Sequence, residues 1–286
     1  MIRVQGEDAA SFLHGQLSQD FALQKPDEAR LAAFLNAKGR MQASFIGIKR
    51  SSDEILLICS RDLLAQTLKR LSMFVLRSKA RLSDATADFA MRGLAGRAAP
   101  SGVAPWSVAT RGDASVVQLY PADGQPRALW VAPAATPAPE GEALSESLWQ
   151  LGEVRSGVAT LTLPIYEAFV PQMVNYESIG GVNFKKGCYP GQEVVARSQF
   201  RGTLKRRTYL AHVDAQILAV GTEVFNAHDA EQPVGTVVQA AASPDGGVDA
   251  LVSLQIAAAD EALHAGSTGG PLLQLKPLPY ALLADI

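Results

Sequence analysis

Apolar positions along this chain recur at two periods, and the period changes with position. In 7-EDAASFLHGQL-17, Ala9, Phe12, Leu13 and Leu17 fall near one stripe, which predicts a helix. The runs 30-RLAAFLN-36 and 41-MQASFIGI-48 read as strands, and Lys38-Gly39-Arg40 between them predicts a hairpin turn with Gly39 at positive φ. A turn at 51-SSDE-54 leads into 55-ILLIC-59, a strand with Cys59 read as a small core residue. The segment 62-DLLAQTLKRLSMF-74 is amphipathic, with Leu64, Leu68 and Leu71 on one face. Together these describe a compact α+β unit over the first ~85 residues.

From 84 to 140 alanine, glycine and proline dominate, and only 115-SVVQLY-120 and 128-ALWVA-132 stand out as apolar runs. The prolines of 133-PAATPAPEGE-142 remove donors and fix φ, so that stretch predicts a linker. A helix follows over 143–157, with Leu144, Leu148 and Leu151 as the expected core stripe and Gly157 as terminator. Trp149 lies off that stripe, near Ser145 and Glu153, and either packs on a neighbouring subdomain or lines a ligand cavity. Beyond about 205, five short β-rich runs separated by Gly, Asp and Pro predict a small antiparallel barrel or sandwich.

With 286 residues, 48% apolar and 19% charged, the chain has room for roughly two domains at ~100–200 residues each. A net charge of −2 argues against a general nucleic-acid coat. Two cysteines make no disulfide framework and suit a reducing compartment. The start, MIRVQGEDAASF, has no apolar leader, and no run nears the ~18 apolar residues of a membrane span, so a cytoplasmic protein without membrane contact is expected. The four histidines are scattered and no CxxC, HxxxH or P-loop pattern occurs, so no self-contained metal site is expected.

The candidate chemistry concentrates in 183-NFKKGCYPGQEVVARSQFRG-202. Pro190 and Gly191 suit the central positions of a type II turn, which favours an exposed Cys188. Lys185 and Lys186 precede it, and positive charge beside a thiol favours the thiolate. Three roles stay open on this pattern: a packed small residue, a metal ligand or an activated thiolate. His212, the nearest histidine in sequence, gives a Cys–His pair little support, and Glu193 is either a hydrogen-bonding carboxylate or, as is commoner beside a turn, a solvated or capping group. The basic run 197-RSQFRGTLKRR-207 is either a solvated edge or an anion site for a polyglutamate tail, phosphate or RNA backbone.

The segment 179-IGGVNFKKGCYPGQEVVARSQFRG-202, with 6-GEDAASFLHGQLSQD-20, 34-FLNAKGRM-41, 149-WQLGEVRSGV-158 and 169-FVPQMVNY-176, resembles the YgfZ-type folate-binding proteins. These are related to the T-protein of the glycine cleavage system, a tetrahydrofolate-dependent aminomethyltransferase. The resemblance implies a cloverleaf of α+β subdomains around a central folate cavity, residues 1–204, followed by a C-terminal antiparallel β-barrel, 205–286. It implies tetrahydrofolate as cofactor, iron–sulfur client or assembly proteins as partners, and a role in tRNA modification with indirect contact to tRNA. Cys188 carries over as the working thiol, with Lys186, Tyr189, Gln192 and Glu193 around it. The folate is expected at Trp149, Asn36, Lys38, Gly39, Arg155 and Arg197.

The chain departs from the T-protein where that family has its transfer acid, here about Gln42 and Ala43, and where Arg155 replaces a pterin-binding carboxylate. An N-terminal aromatic that lines the cavity in relatives has no counterpart. A folate-binding accessory role is therefore the leading expectation, ahead of one-carbon transfer and of an RNA-binding module.

Overall fold

Ile2 and Val4 of strand β1 (Ile2–Gln5) are fully buried while Gln5 is exposed, the alternation of a strand with one face on a core. The computed structural model that places it describes residues 1–283. Helix α1 (Ala9–Gln16) follows and buries Ala9, Phe12 and Leu13 as predicted. Strands β2 (Ala29–Leu35) and β3 (Met41–Lys49) form the expected hairpin, and Gly39 has φ +72°. Asn36 organises that turn: its Oδ1 accepts the backbone N–H groups of Lys38 and Arg40 at 2.9 and 3.0 Å. Strand β4 (Glu54–Ile58), helix α2 (Arg61–Ser72) and strand β5 (Arg81–Asp84) complete a five-stranded antiparallel sheet ordered β2-β3-β4-β1-β5. Cys59 lies one residue past β4 and is half-buried. Phe12, Leu13, Phe34, Phe45, Leu64 and Leu71 fill one face of this sheet, under α1 and α2.

The glycine- and proline-rich stretch contains more regular structure than its composition predicts. Strands β6 (Phe89–Ala95), β7 (Val108–Arg111), β8 (Ala114–Gln118) and β9 (Arg127–Pro133) form an antiparallel sheet ordered β6-β9-β8-β7. Only β8 and β9 were legible as apolar runs. In β6, Gly93 is there because a Cβ would lie 2.5 Å from Trp149 ring atoms, a close approach that a strand glycine permits. After Pro133 the chain runs without regular structure to Ser145, which caps helix α3 (Glu146–Arg155) by accepting the Leu148 N–H.

The face of α3 differs from the expectation. Leu144 and Leu148 are 46% and 44% exposed, whereas Leu151 and Val154 are buried. The reason is that Trp149, Glu153 and Ser156 share a face at i, i+4 and i+7 that is turned toward a cavity rather than water. Gly157 ends the helix at φ +74°, as predicted.

Helix α4 (Gln192–Phe200) leads to a curled six-stranded sheet. Its strands are β10 (Arg206–Val213), β11 (Glu223–Asn226), β12 (Gly235–Ala242), β13 (Val248–Gln255), β14 (Leu263–Ala265) and β15 (Leu273–Lys276), in the order β14-β11-β12-β13-β10-β15. A bulge between Val237 and Gln239 bends β12, and the two edges meet at a single bridge, His264–Leu272, rather than along a closed ladder. The C-terminal unit expected over 205–286 is thus described to Leu283, the last three positions lying outside the described residues. Leu210, Val238 and Leu251 join Leu151, Tyr176 and Tyr189 in one central core, so the fold is α+β with that core at the junction of its parts. Among the described residues no helix is long and apolar enough to cross a membrane.

Candidate functional site

Strand β3, strand β9 and helix α3 enclose a cavity of about 190 Å³ whose walls are mainly apolar. Phe45, Leu129, Trp106 and Tyr120 are among the residues that line it. Its charged lining residues are Arg127 and Glu153. Arg127, with a side chain only 4% exposed, holds its guanidinium 4.4 Å above the Trp149 ring and ion-pairs with Glu153. A Cβ on Gly152 would lie 3.0 Å from Arg127 Nε, so the helix comes close enough for the carboxylate and the ring to sandwich the cation. Trp106 Nε1 donates to the Ile179 carbonyl at 2.8 Å, leaving its ring as a plain aromatic surface. Cys59 also lines the cavity; burial pushes its thiol up to about 11, so it is protonated at neutral pH.

The Cys188 loop is elsewhere. Gln192 N–H donates to the Tyr189 carbonyl at 3.2 Å and Gly191 has φ +79°, ψ −1°, the type II turn that Pro-Gly predicts. A Cβ on Gly191 would lie 2.5 Å from the Asn36 carbonyl oxygen and 2.8 Å from Gly39 Cα. The two glycine turns therefore dock against each other, which brings Asn36, Lys38 and Gly39 beside the Cys188 loop. Cys188 is exposed. Lys186 is 8% exposed, with Nζ donating to the Leu17 and Gly187 carbonyls at 3.1 and 3.2 Å and lying 4.3 Å from the Tyr189 ring centroid. Burial pulls its ammonium down to about 8, while Asp20 and Cys188 act in the opposite direction. Tyr189 is buried in the central core, which pushes its phenol up to about 12.

The residues singled out by sequence thus fall into separate places. Cys188, Lys186, Tyr189, Gln192, Glu193, Asn36, Lys38 and Gly39 gather at the docked turns, whereas only Trp149 lines the cavity. Arg197 points outward and pairs with Glu193 at 2.8 Å, both exposed. Arg155 leaves α3 on the side away from the cavity and binds Asp249 at 2.6 Å and Asp123 at 2.7 Å. A thiol standing beside the cavity is not what is seen, because Cys188 is not among the cavity's lining residues. Nor is 197–207 a continuous basic face: Arg207 is buried against Glu177, Arg206 donates to the Val234 carbonyl, and Arg197 has its own carboxylate.

Several site residues were not foreseen. Arg127, Glu153 and Trp106 form the cavity wall, and only Glu153 carried a signal, its helical spacing from Trp149. Gln42, buried where the T-protein resemblance places the transfer acid, donates to Glu167 Oε1 at 2.6 Å; Glu167 stands at φ +58° and its carboxyl is held low by Asn36 and Gln42. His212 is tied to Asp249 at 2.7 Å on the C-terminal sheet, while His14, on α1, lies next to the Cys188 loop.

No family profile matches the chain. Among curated proteins it is similar to the tRNA-modifying protein YgfZ of Edwardsiella ictaluri, at 30% identity over 98% of this chain and 89% of that one. The protein of the same name from Sodalis glossinidius is 31% identical over 99% of this chain and 90% of its own. Among solved structures, the glycine cleavage system aminomethyltransferase T from Bartonella henselae matches with a TM-score of 0.64 at 15% identity, over 98% of this chain and 83% of that one. At that identity the likeness is one of fold.

Proposed function

The chain belongs to the YgfZ family of tRNA-modifying proteins, and from that membership we propose that it is a tetrahydrofolate-binding accessory protein. In this reading it supports the iron–sulfur enzymes that modify tRNA, methylthiolation included, and Cys188 is its working thiol. The observation that carries the folate assignment is the cavity wall of Trp149, Arg127 and Glu153. A pterin presents a heterocyclic face and adjacent N–H donors. Trp106 and Trp149 offer aromatic surface to the first, and a carboxylate such as Glu153 accepts the second. At about 190 Å³ the cavity is smaller than the ~300–1,000 Å³ of sites that enclose a whole drug-sized ligand, so it suits the ring end with the glutamate end outside.

Bound tetrahydrofolate would supply a one-carbon carrier; the chain's own residues bind and orient it. Trp149 and Trp106 bound the ring site, Arg127 orients Glu153, and the apolar wall excludes water. One-carbon transfer is the second reading and is less supported. Gln42 and Ala43 are uncharged, and the carboxylate on the cavity wall is already engaged by Arg127.

The test is titration calorimetry with tetrahydrofolate. The parent protein should bind, and Trp149→Ala should weaken binding on the order of tenfold, about 1.4 kcal/mol. Calorimetry is preferable to fluorescence because Trp106 shares the cavity. Absence of binding to the folded parent would sink the folate assignment. For the thiol, Cys188→Ala in cells lacking the native protein should fail to restore iron–sulfur enzyme activity and tRNA methylthiolation; full recovery removes Cys188 from the mechanism.

A further inference from the structure

His14 hydrogen-bonds through Nδ1 to Asp20 Oδ1 at 3.0 Å. Asp20 is fixed in turn: Oδ1 also accepts the Leu23 N–H at 2.9 Å, and Arg30 Nε donates to its backbone carbonyl at 3.1 Å. Burial works to raise the Asp20 carboxyl, but the hydrogen bonds from Leu23 and His14 outweigh it and hold it below the usual range. An ionised carboxylate only accepts, so Nδ1 carries the proton of the neutral imidazole and Nε2 keeps its lone pair. That lone pair faces the Cys188 loop, since Nε2 is 3.5 Å from where a Cβ on Gly187 would stand. Among the described residues, neither His14 Nε2 nor the Cys188 thiol has a hydrogen-bond partner. The free acceptor thus lies against Gly187, the residue that precedes the free donor in the loop.

The other charges facing this pair are few. Lys186 lies within electrostatic reach of both Asp20 and Cys188, Arg30 approaches Asp20 from β2, and Lys185 is exposed beside them. The Glu193 carboxylate of α4 is occupied by Arg197.

We propose that His14, held by Asp20, is the proton acceptor for the Cys188 thiol. The proposal rests on the reading of Cys188 as a working thiol. Because Cys188 is exposed and outside the cavity, its substrate is an electrophile arriving from solvent or from a docked protein. As the sulfur attacks carbon, its proton passes to His14 Nε2, the S–C bond forms, and the leaving group departs with the bonding electron pair. The imidazolium keeps its Nδ1–H on Asp20, whose negative charge stabilises it, the division of labour of an Asp–His pair behind a nucleophile.

Iodoacetamide is the probe, with iodide as leaving group, and Cys188 and Cys59 are followed separately by peptide mass spectrometry on the full chain. At pH 7 the Cys188 rate should exceed that of His14→Gln by about a hundredfold or more, the low side of general-base assistance. The parent's rate profile should also show a limb that the variant lacks. Asp20→Asn, which retains an oxygen for the Leu23 N–H but lets the imidazole turn, should move the profile the same way. Superimposed profiles for the parent and a folded His14→Gln would overturn the proposal. A readout that leaves residue 14 intact is the imidazole titration by NMR. Cys188→Ser should shift it, and an unmoved titration overturns the proposal equally. These kinetics need no activity in cells. Superimposed profiles therefore remove only His14, whereas full complementation by Cys188→Ala removes the thiol reading beneath it.

Discussion

Lys186 concentrates the physics of the Cys188 loop in one side chain. Its ammonium has two backbone carbonyls and an aromatic face rather than a carboxylate, so it meets burial with hydrogen bonds and a π-face. Burial lowers its pKa from 10.5 to about 8 in the folded chain. Between those two values the unfolded chain binds more protons, so this group makes stability rise with pH across that window. Below about pH 8 both states are protonated and the folded state carries the whole disadvantage of the buried charge. Lys186→Met keeps the apolar stem and removes the titration. Urea unfolding of parent and variant from pH 7.5 to 10.5 should give a stability difference that shifts steadily in the parent's favour as pH rises. A difference that stays flat would mean the ammonium is solvated in the native state.

At the scale of elements, α3 is the part on which the candidate site depends, and Asp249 holds it. This fully buried carboxylate on β13 accepts from Arg155 at 2.6 Å, His212 at 2.7 Å and Lys276 at 3.1 Å. Burial alone would raise its pKa, but these three bonds outweigh it and hold the carboxyl low, so its contribution is present above about pH 4 and is lost on further acidification. Asp249→Ala leaves Arg155 and Lys276 without their shared partner, and should cost about 3 kcal/mol in urea unfolding. Because α3 carries Trp149 and Glu153, tetrahydrofolate affinity should fall with it. A loss under about 1 kcal/mol would show that the network is not holding the helix.

The same helix marks where sequence reasoning stopped. Periodicity located α3, its cap and its glycine stop, yet it assigned the buried face to Leu144 and Leu148, because a polar stripe reads as solvent even when it faces a cavity. Strand β6 escaped notice for a related reason: Gly93 makes it look like loop, and its purpose becomes visible only once Trp149 is laid across it. The β2–β3 hairpin and the Pro-Gly turn were legible because their chemistry is local. His14, Asp20 and Arg127 were not, because their partners are made by tertiary contact between segments far apart in the chain.

On the scale of the whole molecule, the family resemblance implies one folate-and-thiol centre, while Cys188 is not among the residues that line the Trp149 cavity. The cavity lies between the first two sheets and α3, while Cys188 sits on the outside of the docked turns, and Tyr189 is the link, buried in the core that Leu151 and Tyr176 share. A ligand seated in the cavity touches elements of both sheets and α3, so it should stabilise the molecule as a unit. At a free concentration near 100 times its dissociation constant, tetrahydrofolate should add about 2.7 kcal/mol, which for a chain of this size raises Tm by roughly 5 °C. The separation makes a sharper demand on the variants. Cys188→Ala should keep the full thermal shift at that ligand concentration, since its side chain lies outside the cavity. Trp149→Ala at the same concentration, with its affinity tenfold lower, should lose about half of it while leaving Cys188 alkylation at pH 7 unchanged. If Cys188→Ala abolished the shift instead, the ligand would have to lie at the docked turns, and the cavity would need another occupant.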